Sequence, residues 1–313
     1  MANTYGKVSG TFQEIENAYG KVSGVWKEAD EIYGKVSGTW ELVFAAFTAT
    51  SYSTLSSGSG TFTVPDGANA IHIEASVGGG GGAAGGVSYD RAGGESAGAG
   101  GGSGAFVSDK VFTVTTGETI SYSIGSGGAA GNQTANYGQP KTGSAGTNTT
   151  LSGSSAGSIY TLAAGGGASG TGGGVQGPLR TNTSGSAGAA TINGTAITSG
   201  NFRDSDGTTK SVTTLNSGPV GIFNQSGNGT VGANNGNCSG DNCQIGGSPG
   251  GTSYAGNIAG GTGSPQGGST GGGAGTRGSG GGGGGAQYGN ESVTGRAEVG
   301  GAGEVKYRFL RVN

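Results

Sequence analysis

Glycine-rich tracts recur in this chain at 98–104, 125–131, 165–174, 246–251, 260–263, 267–275 and 278–285. Segments with larger side chains separate them, at 87–91, 132–142, 176–184, 201–225, 234–245, 253–258 and 287–290. A flexible linker has no reason to alternate in this way, but a set of parallel threefold helices does. A chain in the polyproline-II conformation has three residues per turn and no internal hydrogen bonds, so glycine lets such chains approach closely and bond laterally. The tracts lack the strict G-X-Y period of collagen, which sets a triple helix aside. The segments between tracts then become loops at the ends of a bundle.

Composition decides between order and disorder. Glycine supplies 79 of 313 residues, and Ile, Leu, Val and Phe together supply only 47, or 15%. That lies below the roughly 20% at which a conventional apolar core becomes doubtful. Disorder by the charge route requires a high net charge, and here it is −3. The apolar residues also cluster into strand-like runs. Order sustained by backbone hydrogen bonds is the expectation, with almost no helix, because interior glycines disfavour helices and no 3.6-residue apolar period is present.

The first 44 residues carry an internal repeat. The hexapeptide YGKVSG starts at Tyr5, Tyr19 and Tyr33, a strict 14-residue period, and an aromatic follows each copy at Phe12, Trp26 and Trp40. Each unit reads as strand, Ser-Gly turn, strand. One hairpin of this size is marginal in water, so the units must pack on one another or on a partner. Residues 1–44 are therefore read as a docking module, with Tyr5, Phe12, Tyr19, Trp26, Tyr33 and Trp40 as its contacts. Residues 45–60, rich in Ser and Thr, read as a linker.

Residues 61–313 form the glycine-rich domain. Alternation of Phe62 and Val64, a Pro65-Asp66-Gly67 turn, then Ile71, Ile73, Ala75 and Val77 read as a β-hairpin with one buried face. Residues 105–114 and 119–125 repeat the plan around Thr116-Gly117-Glu118, and the last eleven residues read as a closing strand. The fold expected is all-β: hairpin repeats, then a small β-sandwich carrying a polyglycine bundle with interrupting loops.

Several functions are excluded at this stage. A pI of about 5.2 without any basic run argues against nucleic acid. No stretch reaches the roughly 18 apolar residues that span a bilayer. The sole histidine, His72, alternates between Ile71 and Ile73, reads as solvent-facing, and has no Ser or Cys motif beside it. GxGxxG matches carry no weight in so glycine-rich a chain, and none is followed by the Lys-Ser/Thr of a phosphate loop. No enzyme, cofactor or metal is expected. Asp204 and Asp206 form D-x-D-G, which lacks a third ligand and a distal Glu and reads as a turn. Cys238 and Cys243 are near enough in sequence to bridge, and the sequence leaves a disulfide open.

Taken in order, these motifs resemble the glycine-rich tail-fibre and tail-tip proteins of bacteriophages. The resemblance rests on Phe62 to Gly67, Ile71 to Gly82, Gly101 to Val107, Thr115 to Ile120, Gly125 to Gly131 and Gly300 to Phe309. It implies a virion protein that recognises a bacterial surface receptor, protein or glycan, through the loops interrupting the glycine tracts. A purely structural tail or head fibre or decoration protein is the alternative. The opening MANTYGKVSG lacks the plan of a signal peptide, and a virion released by lysis needs none. Aromatic and charged residues on loops of a rigid scaffold serve binding, which nominates Tyr89, Asp90, Arg91, Tyr137, Phe202, Arg203, Phe223 and Tyr254 as receptor contacts. The partners implied are other phage tail proteins, met through the N-terminal repeats, and further copies of the chain, with a trimer one option.

Overall fold

A computed structural model describes residues 5–8, 11–14, 19–28, 31–36, 38–83, 95–96, 99–131, 142–168, 184–215, 226–227, 237–238, 244–245, 250–251, 275, 278, 286–287 and 297–313. The chain is all-β, and its described helix is a single turn, α1 (Val212–Leu215).

Each 14-residue repeat folds into its own two-stranded antiparallel sheet: β1 (Tyr5–Val8) with β2 (Thr11–Glu14), β3 (Tyr19–Val22) with β4 (Val25–Glu28), and β5 (Glu31–Val36) with β6 (Thr39–Ala45). The Ser-Gly pair makes this possible. Ser23 and Gly24 both take positive φ, 52° and 83°, the signature of the two-residue turn whose twist matches that of the flanking strands. The resulting register sets a lysine opposite an aromatic in every repeat, as Lys7–Phe12, Lys21–Trp26 and Lys35–Trp40. Tyr5 and Tyr19 face Glu14 and Glu28, while a bulge beside Tyr33 puts it opposite Leu42.

The body is a sandwich of two five-stranded antiparallel sheets. The first contains β7 (Ser53–Leu55), β22 (Glu304–Leu310), β9 (Ala70–Val77), β11 (Phe106–Thr113) and the short β18 (Ser226–Gly227). The second contains β8 (Ser59–Thr63), β12 (Thr119–Ser123), β13 (Thr149–Gly153), β14 (Gly157–Leu162) and β15 (Ala190–Ile192). Two-residue strands β10 (Glu95–Ser96) and β19 (Asn237–Cys238) pair with each other, as do β20 (Gln244–Ile245) and β21 (Ala286–Gln287). A further hairpin joins β16 (Asn201–Arg203) to β17 (Thr209–Ser211).

The two hairpins expected around Pro65-Asp66-Gly67 and Thr116-Gly117-Glu118 are arches instead. β8 and β9 lie in different sheets, and so do β11 and β12. Alternation shows which residues seek a core; it does not say whether the next strand lies beside or across from the first. Here both strands of each pair turn their apolar faces inward across the roughly 10 Å separating packed sheets. The arches are tied together by Val64 N–H to the Glu118 carbonyl, 2.9 Å, and Gly117 N–H to the Val64 carbonyl, 3.0 Å. The buried Glu118 carboxyl accepts from the amides of Thr115, Ser155 and Ala156.

One core joins the sheets. Ile71, Ile73, Val107, Phe112 and Val305 meet Ile120, Leu151, Ile159, Tyr160 and Leu162 within it. Phe62 stacks on Tyr307 with centroids 4.5 Å apart, and buried Tyr160 places its hydroxyl on Ser76 Oγ at 3.0 Å. A second, smaller cluster covers the outer side of the first sheet, where Ala49, Phe202 and Val212 pack on Ala70, Val111 and Leu310. Residues 45–60 are consequently not a free linker. Phe47 packs against the main core, Ala49 is buried and donates to the Arg203 carbonyl, Thr50 exchanges two hydrogen bonds with Phe309, and β7 pairs with β22.

Beyond the sandwich, strands continue into a bundle with a period of three. Segment 78–83 runs on from β9 and donates from successive residues to three neighbours in rotation. Gly78 and Gly81 bond to Ala105 and Gly102, Gly79 and Gly82 to Thr147 and Ser144, and Gly80 and Ala83 to Gly301 and Glu298, all at 2.7–3.1 Å. Two further segments donate back to it, Gly128 and Gly131 onto Gly80 and Ala83, and Gly165 and Ala168 onto Gly79 and Gly82. Only a helix with three residues per turn distributes its bonds in this way. Neighbours lie side by side as expected but run in both directions, since each segment enters or leaves a strand of an antiparallel sandwich.

None of the glycines in 78–83, 99–105, 125–131, 143–146, 165–167, 185–188 or 300–303 has a positive φ. Their requirement is space, not conformational freedom. A Cβ at Gly78 would stand 2.7 Å from the Ala163 carbonyl oxygen, and at Gly81, Gly82, Gly101 and Gly102 it would intrude further into a neighbouring backbone.

Candidate binding surfaces and a buried polar cluster

On the outer side of the first sheet sits a chain of polar groups. His72, 1% exposed, is the register partner of Val111 on one side and Arg308 on the other. Its Nε2 lies 3.0 Å from Asp109 Oδ1 and its Nδ1 3.2 Å from the Tyr52 hydroxyl. A carboxylate can only accept, so Nε2 carries the proton and Nδ1 accepts from Tyr52. Burial pushes the Tyr52 phenol up to about 12, only partly opposed by the nearby Arg308. At neutral pH Tyr52 is therefore a hydrogen-bond donor and no phenolate nucleophile. Asp109 reaches His72 from a left-handed backbone, φ 42°, at a cost of about 1–2 kcal/mol for a residue with a Cβ.

The expectation that His72 faces solvent is thus corrected. Alternation put His72 opposite Ile71 and Ile73, as observed, but that face is roofed by residues 46–52 and by the 196–215 region. Ala70, Val111 and Leu310, apolar on the same face, are the sequence signal of a second covering layer.

The network continues through Arg308, which lies 4.6 Å over the Tyr52 ring and 5.4 Å over the Phe202 ring. Its Nη1 donates to Asp204 Oδ1 at 2.6 Å. Lys210 Nζ donates to the other oxygen of Asp204, and the Ser205 amide donates to Oδ1 at 2.8 Å. Burial works to raise the Asp204 pKa, but the hydrogen bonds from Lys210, Ser205 and Arg308 outweigh it and hold the carboxyl at about 2. Asp206 receives the amide and hydroxyl of Thr208, at 2.9 and 2.6 Å. The D-x-D-G sequence is a turn that fastens β16 and β17 to the sandwich through Arg308. Its carboxylates are already engaged, and the described residues contain no group of three metal-ligating side chains.

Of the nominated receptor contacts, Phe202 is 1% exposed and belongs to the outer cluster with Ala49, Val212 and Leu310. It holds the 201–211 hairpin down and is withdrawn as a surface contact. Arg203, in β16 beside it, is half-buried. Tyr89, Asp90, Arg91, Tyr137, Phe223 and Tyr254 lie outside the described residues, as does Cys243. Among the nominated docking residues, Tyr19, Tyr33 and Trp40 are 58%, 52% and 67% exposed. Tyr5, Phe12 and Trp26 occupy strands whose side chains are not described.

The bundle determines where its connecting segments begin and end. Segments 78–83 and 99–105, 125–131 and 142–148, and 163–168 and 184–189 leave and rejoin the sandwich in pairs. At the end remote from the sandwich Ala83 bonds to Glu298 and Gly131, while Gly143 bonds to Ala168 and Ala168 to Gly82. From that end start residues 84–98, 132–141 and 169–183.

Together these features define an all-β, glycine-rich scaffold in which one chain passes repeatedly from β-strand to threefold helix and back. Residues 54–310 match the Glycine-rich domain family, and the chain belongs to that family. No curated protein matches the sequence.

Proposed function

We propose that this chain is a bacteriophage tail-fibre or tail-tip protein that attaches to a bacterial surface receptor. The observation that supports the reading most is the paired return of the bundle helices at the end remote from the sandwich. Segments starting there change sequence without disturbing the backbone hydrogen bonds below them. Two of the three carry the aromatic and charged residues nominated for contact: Tyr89, Asp90 and Arg91 in 84–98, and Tyr137 in 132–141. Exposed Tyr19, Tyr33 and Trp40 on the hairpins suit attachment to another virion protein.

Two experiments test the reading. Antibody labelling of virions should mark the tail. Alanine at Tyr89, Arg91 or Tyr137 should cost about 2 kcal/mol or more of receptor binding where the residue is an anchor, with the melting temperature unchanged. Normal adsorption across the set, or loss only when folding is lost, would favour a structural fibre without a receptor of its own.

A further inference from the structure

Cys238 and Cys243 are the chain's two cysteines, and neither the fold nor the functional reading has yet used them. The fold brings together the backbone on either side of the pair. β19, which ends at Cys238, pairs antiparallel with β10, setting Cys238 opposite Glu95 and Asn237 opposite Ser96. β20 begins at Gln244, the residue after Cys243, and pairs with β21. Cα atoms of β19 lie within 8 Å of those of β20, and Cα atoms of β10 within 8 Å of those of β21. Four short strands from three stretches of sequence therefore meet in one patch, and the chain from Cys238 to Gln244 joins two of them.

Fully extended, the six residue steps from Cys238 to Gln244 would span about 20 Å. Strands held within 8 Å of each other require the chain to reverse in between. The residues available are Ser239, Gly240, Asp241 and Asn242, all types that favour turns. Covalent geometry fixes the Cα of Cys243 about 3.8 Å from that of Gln244. The two cysteines thus flank one four-residue reversal, within reach of the roughly 4.4–6.8 Å Cα separation that a disulfide needs. Competing uses are few. A structural zinc site takes four ligands, and the only histidine, His72, is buried in the sandwich. With two cysteines in the chain, no other pairing within it exists.

We propose that Cys238 and Cys243 form a disulfide that closes this reversal and clamps β19 to β20, holding β10 and the end of the 84–98 segment at the patch. The oxidant is a low-molecular-weight disulfide. One cysteine thiolate attacks it and expels a thiolate, and the second cysteine resolves the mixed disulfide and expels another. Two protein thiols are oxidised to one disulfide while the reagent disulfide is reduced to two thiols. An oxidising medium keeps the bond closed, and a reducing cytosol opens it. The pairing is independent of the receptor reading; only its setting, a particle released by lysis, rests on that reading.

The test uses the full chain, equilibrated with mixtures of oxidised and reduced glutathione, its free thiols counted by alkylation and intact mass. The oxidised chain should be lighter by two hydrogen atoms and take up no alkyl group. Cleavage before Asp241 should then leave two fragments that part only when a reductant is added. A synthetic peptide of residues 236–246 lacks the strands that preorganise the turn and should close about tenfold less readily or worse in the same mixtures. Reduction, or Cys238→Ser combined with Cys243→Ser, should speed amide exchange across Glu95–Ser96 and Asn237–Cys238 by about tenfold or more and leave β9 unchanged. Alkylation of both thiols after oxidation, or a disulfide-linked dimer in place of the closed monomer, would overturn the proposal. So would a peptide that closes as readily as the full chain, or exchange that reduction does not alter. None of these measurements reads adsorption to cells, so the receptor reading stands or falls separately.

Discussion

Replacing Gly81 by alanine should be among the most damaging one-atom changes available to this protein. A Cβ at Gly81 would intrude on the Gly166 carbonyl oxygen while also standing 2.5 Å from the Gly166 carbonyl carbon and 3.0 Å from the Gly165 oxygen. These are backbone atoms, so no rotamer change relieves the clash and the 78–83 and 163–168 helices must move apart. Separation stretches the bond from Gly165 N–H to the Gly79 carbonyl, 2.8 Å, and disturbs two others anchored on the same residues. Those are Gly81 to Gly102 at 2.7 Å and Gly102 to Gly166 at 3.0 Å. Three hydrogen bonds at about 0.5–1.5 kcal/mol each give about 1.5–4.5 kcal/mol. Alanine regains about 0.4–1 kcal/mol by narrowing the unfolded ensemble, leaving a net loss of about 1–4 kcal/mol. For a body of this size that lowers the melting temperature by about 2–16 °C, at about 2–4 °C per kcal/mol. Differential scanning calorimetry reads it directly. Gly20→Ala is the control, since a Cβ there meets nothing within 4 Å and Gly20 is not in the left-handed region. A silent Gly81→Ala, or equal losses at both sites, would refute the claim that the bundle demands glycine for lack of space.

Three further outcomes are expected. Asp204→Ala strands the buried Arg308 guanidinium and should cost about 3 kcal/mol of stability at neutral pH. Because the folded-state pKa of Asp204 is depressed to about 2, its contribution is complete above the ordinary carboxylate range and is lost as pH falls from about 4 toward 2. An acid titration of the melting temperature should show this for the wild type and not for the variant. Tyr52→Phe leaves His72 Nδ1 without its donor and should cost about 1–3 kcal/mol. It should also remove one phenol titrating near 12 from the ultraviolet spectrum, whose ionisation erodes stability as pH climbs from about 10 through 12. Deleting residues 1–44 should leave the melting temperature of the body unchanged but prevent incorporation into the virion. Deleting 1–52 should lower that temperature as well, because Phe47, Ala49 and Tyr52 are lost from the cores.

The periodic parts of this structure were legible because their period is a local property. Ser-Gly within a 14-residue repeat specified a two-residue turn, and the described glycine tracts, at 99–104, 125–131 and 165–168, specified laterally bonded threefold helices; the tracts at 260–263, 267–274 and 279–285 lie outside the described residues. What escaped was set by distant residues. His72 is buried because Asp109 arrives 37 residues later and Tyr52 folds back from 20 residues earlier. Phe202 looked like a loop aromatic because nothing near it in sequence announces the Arg308 and Leu310 surface that it covers. The 45–60 segment has the small polar composition of a linker, yet its alternating partners lie on β22 at the other end of the chain. The arches at 64–69 and 114–118 read as hairpins because alternation reports a buried face and says nothing about which sheet presents it. For the proposed receptor contacts, the sequence supplied the alternation of tracts and loops, which places loops at the ends of a bundle without selecting one end. Which side chains would meet a receptor there is a question of loop conformation that local patterns do not address.

The tethering of residues 46–55 has a mechanical meaning. A chain held at its N-terminal hairpins and pulled at the far end of the bundle carries tension into the body through Ala49, Thr50 and β7. Ala49 is bonded to Arg203, while Thr50 and β7 are bonded along the flank of β22, which in turn lies along β9, and β9 passes without interruption into 78–83. The load therefore runs parallel to the strands, and the cross-links resist it together in shear; peeled from one end, they would fail singly. No flexible hinge lies on this route between β7 and Ala83, so a pull at one end is felt at the other as displacement with little slack. A protein built in this manner behaves as a taut rod under traction, although glycine is its commonest residue.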